Sequence, residues 1–377
     1  MRTITPRSFA TIALLGALAG SAAAAQVVDQ SDNTAYGTTA AEFLLLGAGA
    51  RGTALGGAFA ALATDVTAMY YNPAGLAQLP RPGAMVSTYS YLADTRYSWV
   101  GMAFPMAGGQ RAVGLSVAGF GFGDQPVYTI QNPEGDGRVY DVSESYIAGT
   151  YAQNFSDRFS AGISVKYISD ELGSAKASAF AVDFGTNFHA LVGQRPLRAA
   201  FVIQNLGSTL AHKGADLDVG VIRQPPLGTV DVPQETQPAT LKTKDWGLPV
   251  MFRVSVALDL VHQGNNQLTL LSEFTQPNNS KPAAGMGLEW SAVNLGSSGF
   301  SLAARGSYSL QPDNEIAISS AAGFASQEST GSFTNDGLAL GGGIGYGRGN
   351  MKFGFDYAYR AFGPLGSANF FSFSVSW

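Results

Sequence analysis

The sequence predicts an all-β protein: a transmembrane antiparallel β-barrel of about 14 strands with a small helical hatch at its N-terminus. Three observations carry that prediction. Charged residues are only 13% of the chain, yet mean hydropathy is near zero at +0.08. From residue 83 onward, apolar residues alternate with small or polar ones, in runs that match the tilted strands of about 9–11 residues that cross a bilayer. Every long stretch between those runs follows an odd-numbered run, as in a barrel with tight turns at one end and long loops at the other.

A soluble domain averages roughly 25% charged residues, and a helical membrane protein carries apolar runs of about 20. This chain fits neither class. Half of each barrel strand faces lipid and half a polar interior, which gives an intermediate composition. Residues 1–25 read as a secretory signal peptide: Arg2 and Arg7 precede an apolar run over 9–19, and residues 22–25 are all alanine. Removing it takes the net charge from −5 to −7. The chain has no cysteine, which excludes a lipoprotein anchor, disulfides and thiolate metal sites. A mildly acidic chain without basic clusters excludes nucleic acid as a partner. Outer-membrane lipid is the expected surrounding.

Residues 26–79 are expected to form the hatch, and 41–79 are rich in Gly and Ala and nearly uncharged. Gly47-Ala48-Gly49-Ala50-Arg51-Gly52 satisfies GxGxxG, with Asp65 near the spacing of a ribose-binding acid. That fingerprint needs a strand–helix–strand unit around it, whereas the chain from residue 83 reads as antiparallel strands of an exported protein. Close packing of backbone in a crowded space accounts better for the glycines. Residues 53–63 place Leu55, Phe59 and Leu62 at helical spacing, in a helix too short to span a bilayer but suited to a barrel interior. Asn72-Pro73-Ala74-Gly75 reads as a turn, with proline setting φ and asparagine closing an Asx-turn. The segment is expected to enter the lumen from the periplasmic end and to pass into the first strand at that turn.

The barrel is expected over 80–377. Its fourteen runs are 83–91, 95–105, 110–122, 142–155, 158–170, 175–191, 197–205, 248–262, 266–276, 282–292, 299–310, 337–348, 350–360 and 369–377. Stretches after even-numbered runs are all short. The long ones, 123–141, 206–247, 311–336 and 361–368, all follow odd-numbered runs. Residues 316–324 could extend the eleventh or twelfth strand. The loop 206–247 is polar and Pro-rich, with Pro225, Pro226, Pro233 and Pro238. It reads as a lid or docking surface, or as a variable, partly disordered loop, and the second reading is favoured.

Period two assigns the faces. In the last run Phe371, Phe373, Val375 and Trp377 share one face, and Ser372, Ser374 and Ser376 the other. An aromatic at the C-terminus resembles the signal read by the barrel-insertion machinery. Phe180, Val182, Phe184 and Phe188 point outward and Asp183 inward; Val254, Val256, Leu258 and Leu260 point outward, Arg253 and Asp259 inward. Glu273, Glu289, Arg305, Lys352, Asp356 and Arg360 also fall inward. Opposite charges inside a chain that avoids charge read first as ion pairs filling the lumen, and second as a charged pathway or ligand site. No GxSxG, HExxH or Asp-rich calcium loop occurs. His189, His212 and His262 read as loop or interface residues, so no enzyme, cofactor or metal site is expected.

Several of these stretches together resemble the PorV/PorQ family of the FadL-like superfamily of outer-membrane barrels. The N-terminal signature is carried by Phe43 to Leu46, Gly49-Ala50-Arg51, Leu55-Gly56-Gly57-Ala58-Phe59, Ala63-Thr64-Asp65 and Tyr71-Asn72-Pro73-Ala74-Gly75-Leu76. Gln204-Asn205-Leu206-Gly207, Gly287-Leu288-Glu289-Trp290, Ala304-Arg305-Gly306-Ser307-Tyr308 and Asp356-Tyr357-Ala358-Tyr359 support it. One departure is an insertion after Gly207 that is longer than the family pattern. The resemblance implies a fourteen-stranded barrel with an N-terminal hatch. For PorV-like members it implies a part in type IX secretion: binding the C-terminal signal domain of secreted cargo proteins and passing them to the surface attachment machinery. For FadL-like relatives it implies passage of hydrophobic compounds such as fatty acids.

Overall fold

The structure, a computed structural model, describes residues 37–222, 236–295, 298–310 and 337–377. Fourteen strands close into an antiparallel barrel, and two more form a separate small sheet. In chain order the barrel strands begin with β1 (Gly83–Ser90), β2 (Arg96–Met106), β3 (Arg111–Pro126), β4 (Val139–Ser156), β5 (Phe159–Leu172), β6 (Ala175–Val192) and β7 (Arg195–Gly207). The small sheet is β8 (Asp218–Ile222) and β9 (Thr236–Thr240). The barrel resumes with β10 (Met251–Gln263), β11 (Asn266–Pro277), β12 (Ala283–Ala292), β13 (Phe300–Leu310), β14 (Leu338–Arg348), β15 (Met351–Ala361) and β16 (Ser367–Ser376). Each barrel strand pairs with its sequence neighbour, β7 pairs with β10 across the insertion, and β1 closes on β16 from Gly83↔Ser376 to Thr88↔Phe371. All fourteen expected runs are barrel strands, because lipid on one side imposes the two-residue period that the sequence displays.

Faces follow the same period. Phe371 and Phe373 stand exposed on the outer surface while Ser372 between them is buried. Phe180, Phe184 and Phe188 are exposed and Asp183 is buried; Arg253, Asp259, Glu273 and Glu289 are buried likewise. Between Asp259 and Val261 the pairing with β11 slips by one residue, a bulge at Leu260. Lys352 keeps its inward parity but is exposed, since it lies one residue from the end of β15.

Two expectations about loops change. The insertion 206–247 is not wholly irregular: Asp218–Ile222 pairs antiparallel with Thr236–Thr240, and Leu210 bridges Trp246. The polar Thr236–Thr240 strand, exposed along its length, lacks the apolar alternation that would have revealed it. Residues 316–324 lie outside the described residues, as do Pro225, Pro226 and Pro233.

Residues 37–82 contain no strand. They form a 3-10 turn (Glu42–Leu45), α1 (Ala50–Ala54), α2 (Ala68–Tyr71) and a 3-10 helix (Pro73–Gln78). The helix expected over 53–63 does not form. Gly56 and Gly57 both take positive φ (65° and 81°), which ends α1 after one turn and folds the chain into successive turns. Leu55, Phe59 and Leu62 are nonetheless buried; their spacing recorded burial rather than helix.

The path of this inner segment also differs from expectation. Thr39 bridges Gly247 and Ala40 N donates to Gly247 O at 2.9 Å, so the described part starts at the long-loop end. The segment then runs down the lumen to the short-turn end, where Trp377 N donates to Pro82 O at 3.1 Å. It threads the barrel from one end to the other.

Candidate functional site

Arg51, a cation in a segment that otherwise carries almost no charge, leaves α1 toward β12. Its Nε and Nη2 donate to the two oxygens of Glu289 at 2.8 and 2.7 Å, and its Nη1 meets Asp65 at 2.9 Å. Glu289 is shared with Arg305 (2.6 Å), which also binds Asp356 (2.6 Å). Burial works against the charge on Arg51, and the carboxylates of Glu289 and Asp65 offset it. Its guanidinium also lies 5.0 Å from the centre of the Phe59 ring. β14 is the floor of this site: a Cβ at Gly341 would stand 2.5 Å from Ala54 Cβ, and one at Gly343 3.0 Å from Arg305 Nη1.

The nucleotide-like motif is thereby explained. Asp65 binds Arg51 and, through its other oxygen, accepts from Thr67 N at 2.9 Å ahead of α2. Gly49, at φ 82°, opens α1 and its carbonyl accepts from Thr53 Oγ1 at 3.0 Å. A Cβ at Gly52 would stand 2.5 Å from the Tyr71 hydroxyl. Every feature of the fingerprint is used for packing or for holding Arg51.

The turns at Gly56 and Gly57 are pinned by the wall. Ser307 Oγ donates to Ala54 O (3.0 Å), Ser309 Oγ to Gly56 O (3.3 Å) and Arg253 Nη1 to Gly57 O (3.4 Å). Arg253 is itself paired with Glu273 (3.1 Å) and donates to Gln204 Oε1 (2.7 Å), while Glu273 accepts from Ala60 N (3.1 Å). These bonds satisfy backbone groups that a turn inside a lumen would otherwise leave unpaired.

Asn72 to Gly75 are held without any ionised group. Asn72 Oδ1 accepts from Ala74 N (3.1 Å), the expected Asx-turn, and its Nδ2 donates to Ala60 O (3.0 Å) and to Thr186 O on β6 (3.2 Å). Pro73 occupies the first position of the 3-10 helix. Gly75 sits against the Ala63 carbonyl with no room for a Cβ. On the wall, a Cβ at Gly162 of β5 would stand 2.6 Å from Ala74 N, and one at Gly185 of β6 2.9 Å from Pro73 Cδ.

The inward charges therefore do not form one network. Glu289 and Asp356 join through Arg305, and Glu289 links them to Arg51; Arg253 pairs with Glu273; Asp259 pairs with Arg198; Asp183 pairs with Lys166 at 2.7 Å. Lys166 and Arg198 are partners that the strand pattern did not single out, although Lys166 shares the inward parity of Ser164 and Ile168 on β5. Lys166 Nζ also donates to Asn205 Oδ1 (2.7 Å), and Asn205 N donates to Asp183 Oδ1 (2.8 Å). Asn205 has positive φ (61°) at a slip in the β6–β7 pairing, so the Gln204-Asn205 pair marks a bulge that faces the lumen on two buried side chains.

Comparison with known proteins agrees with this architecture. Solved barrels similar in fold include the monoaromatic hydrocarbon channel CymD (12% identity, TM-score 0.52, covering 88% of this chain and 97% of that one). The toluene transporter TodX of Pseudomonas putida (10%, 0.52, 88% and 97%) and the toluene transporter TbuX of Ralstonia pickettii (12%, 0.50, 88% and 98%) are similar to the same degree. At such identities the likeness shows the fold alone. No curated protein sequence matches the chain. A family model described as "Type IX secretion system protein PorV" matches residues 29–218, a span that holds Arg51, Asn72 to Gly75 and β1 through β7. The chain belongs to the PorV family.

Proposed function

We propose that this chain is a non-enzymatic outer-membrane barrel of type IX secretion. It receives exported proteins at its long-loop end and hands them, through their C-terminal signal domains, to the surface attachment machinery. The carrying observation is the family match together with a lumen occupied along its length by the inner segment. A lumen occupied by the barrel's own chain suits a docking platform better than an open conduit. In this reading residues 1–25 are a removed signal peptide, 26–79 a hatch and 80–377 the barrel. Gly49, Arg51, Gly56, Gly57, Phe59, Asp65 and Asn72 to Gly75 fix the hatch. The charges Asp183, Arg253, Asp259, Glu273, Glu289, Arg305 and Asp356 hold it or brace the wall.

Deletion of the gene tests the reading. Loss of surface display of proteins bearing the signal domain, and their co-purification with this barrel, is the expected result. Intact display with impaired uptake of fatty acids or aromatic hydrocarbons would overturn it in favour of a channel for hydrophobic compounds.

A further inference from the structure

At the long-loop end, one inward-facing row crosses three strands: Phe120 of β3 opposite Glu144 of β4, and Glu144 opposite Asp170 of β5. Two carboxylates directly opposite on neighbouring strands repel one another, and the carboxylate of Glu42 adds to the repulsion on Glu144. The lumen acids described above each have an Arg or Lys partner. Among the described residues, these three do not. Glu144 is half-buried and makes no hydrogen bond or ion pair, and Glu42 accepts only from Thr39 and Asn279. Asp170 is 3% exposed; one oxygen lies 3.2 Å from His212 Nε2, and the other, Oδ1, has no hydrogen-bond partner. The nearby Lys166 is already bound to Asp183 and Asn205, and Lys176 to Glu171.

The surroundings of the pair select the kind of cation. Among the described residues no three carboxylate or imidazole groups are placed to hold a metal ion. The neighbouring groups are instead aromatic: Phe43 lies 6.4 Å from Phe120, stacked, and 6.1 Å from Tyr146. Phe120 is only partly buried at the edge of this cluster. Carboxylates beside aromatic faces fit a cation that carries its own apolar stem.

We propose that Glu144 and Asp170 form a receptor for a lysine or arginine side chain presented at the long-loop end by an exported protein, with the partly exposed Phe120 flanking its stem. The proposal rests on the export reading for the source of that side chain. An incoming ammonium or guanidinium would neutralise Glu144 and supply the hydrogen bond that Asp170 Oδ1 lacks.

The test uses the full-length barrel in detergent micelles and a dye-labelled Arg-Phe-Arg tripeptide amide, with Glu-Phe-Glu amide at equal ionic strength as control. Fluorescence anisotropy should show binding of the first peptide and not the second. Glu144→Gln should weaken binding about tenfold, as expected for loss of a charge-assisted hydrogen bond, while Asp157→Asn at the short-turn end should leave it unchanged. Heat-modifiable migration checks that the variant folds; Asp170→Asn takes its place if it does not. Equal binding by wild type and variant overturns the proposal. So does calcium or zinc chloride displacing the peptide and raising the melting temperature only when Glu144 is present, which would make this a metal site. Display lost on gene deletion with peptide binding indifferent to Glu144 overturns this site alone. Glu144-dependent binding by a chain whose deletion spares display overturns the export reading alone.

Discussion

Between Gly49 and Asp65 the inner segment meets the wall through ionised groups, Arg51 against Glu289 and, through it, Arg305 and Asp356. Between Asn72 and Gly75 it meets β5 and β6 through backbone, one carboxamide and two glycines that leave no room for a side chain. The second contact is fully buried and the first partly so, and both join residues far apart in sequence, but they fail differently. A charge anchor with one member removed leaves the others uncompensated in a confined space. A close-packed anchor has no charge to leave uncompensated; apart from the bonds of the Asn72 carboxamide, it fails when atoms are forced into it. The first can be released by changing charge and the second only by moving chain.

Four substitutions would break or sharpen this contrast. Glu289→Ala leaves Arg51 and Arg305 facing each other and should cost about 3–5 kcal/mol, read as a lower melting temperature. It should also loosen the segment, read as a conductance in planar bilayers higher than that of the parent barrel. Gly162→Ala pushes a methyl into the Asn72–Gly75 anchor and should cost about 1–3 kcal/mol; an effect as large as that of Glu289→Ala would mean that the two anchors are equally brittle. Asn72→Ala removes the Asx-turn together with the bonds to Ala60 O and Thr186 O and should cost about 1–3 kcal/mol, with the turn otherwise kept by Pro73. Lys352→Ala, exposed near the end of β15, should shift stability by less than about 0.5 kcal/mol; a larger shift would place it in the lumen network after all.

The strands were legible because lipid enforces a period of two on every one of them, so Phe371, Phe373 and their serine neighbours announce their faces locally. The charge partners were less so. Glu289 and Arg305 lie opposite on paired strands, β12 and β13, and neighbouring strands can be anticipated from order alone. Arg51 with Glu289 is a pairing across 238 positions, fixed by how the inner segment is threaded, which no local pattern encodes. The helix expected over 53–63 was lost for the opposite reason. Local spacing was present, but it reported that Leu55, Phe59 and Leu62 are enclosed, and an interior closed on all sides imposes no helical period. Lys166 went unread because one inward lysine carries no signal until Asp183 is seen across from it.

The threading of the inner segment sets an order of events for assembly. Ala50 N donates to Ser372 Oγ, 322 positions away, so a residue of the inner segment is bonded to one on the last strand of the barrel. The ring closes where β16 pairs with β1, directly after that segment leaves the lumen at Pro82. Laying residues 37–82 along the unfinished sheet before closure avoids pushing them later through a finished ring. Contacts of such long sequence separation also form slowly. Pulse-chase trapping of half-built barrels should therefore find the segment already protected from protease before β1 and β16 meet, so that the last barrel strand to pair seals in the segment that precedes the first.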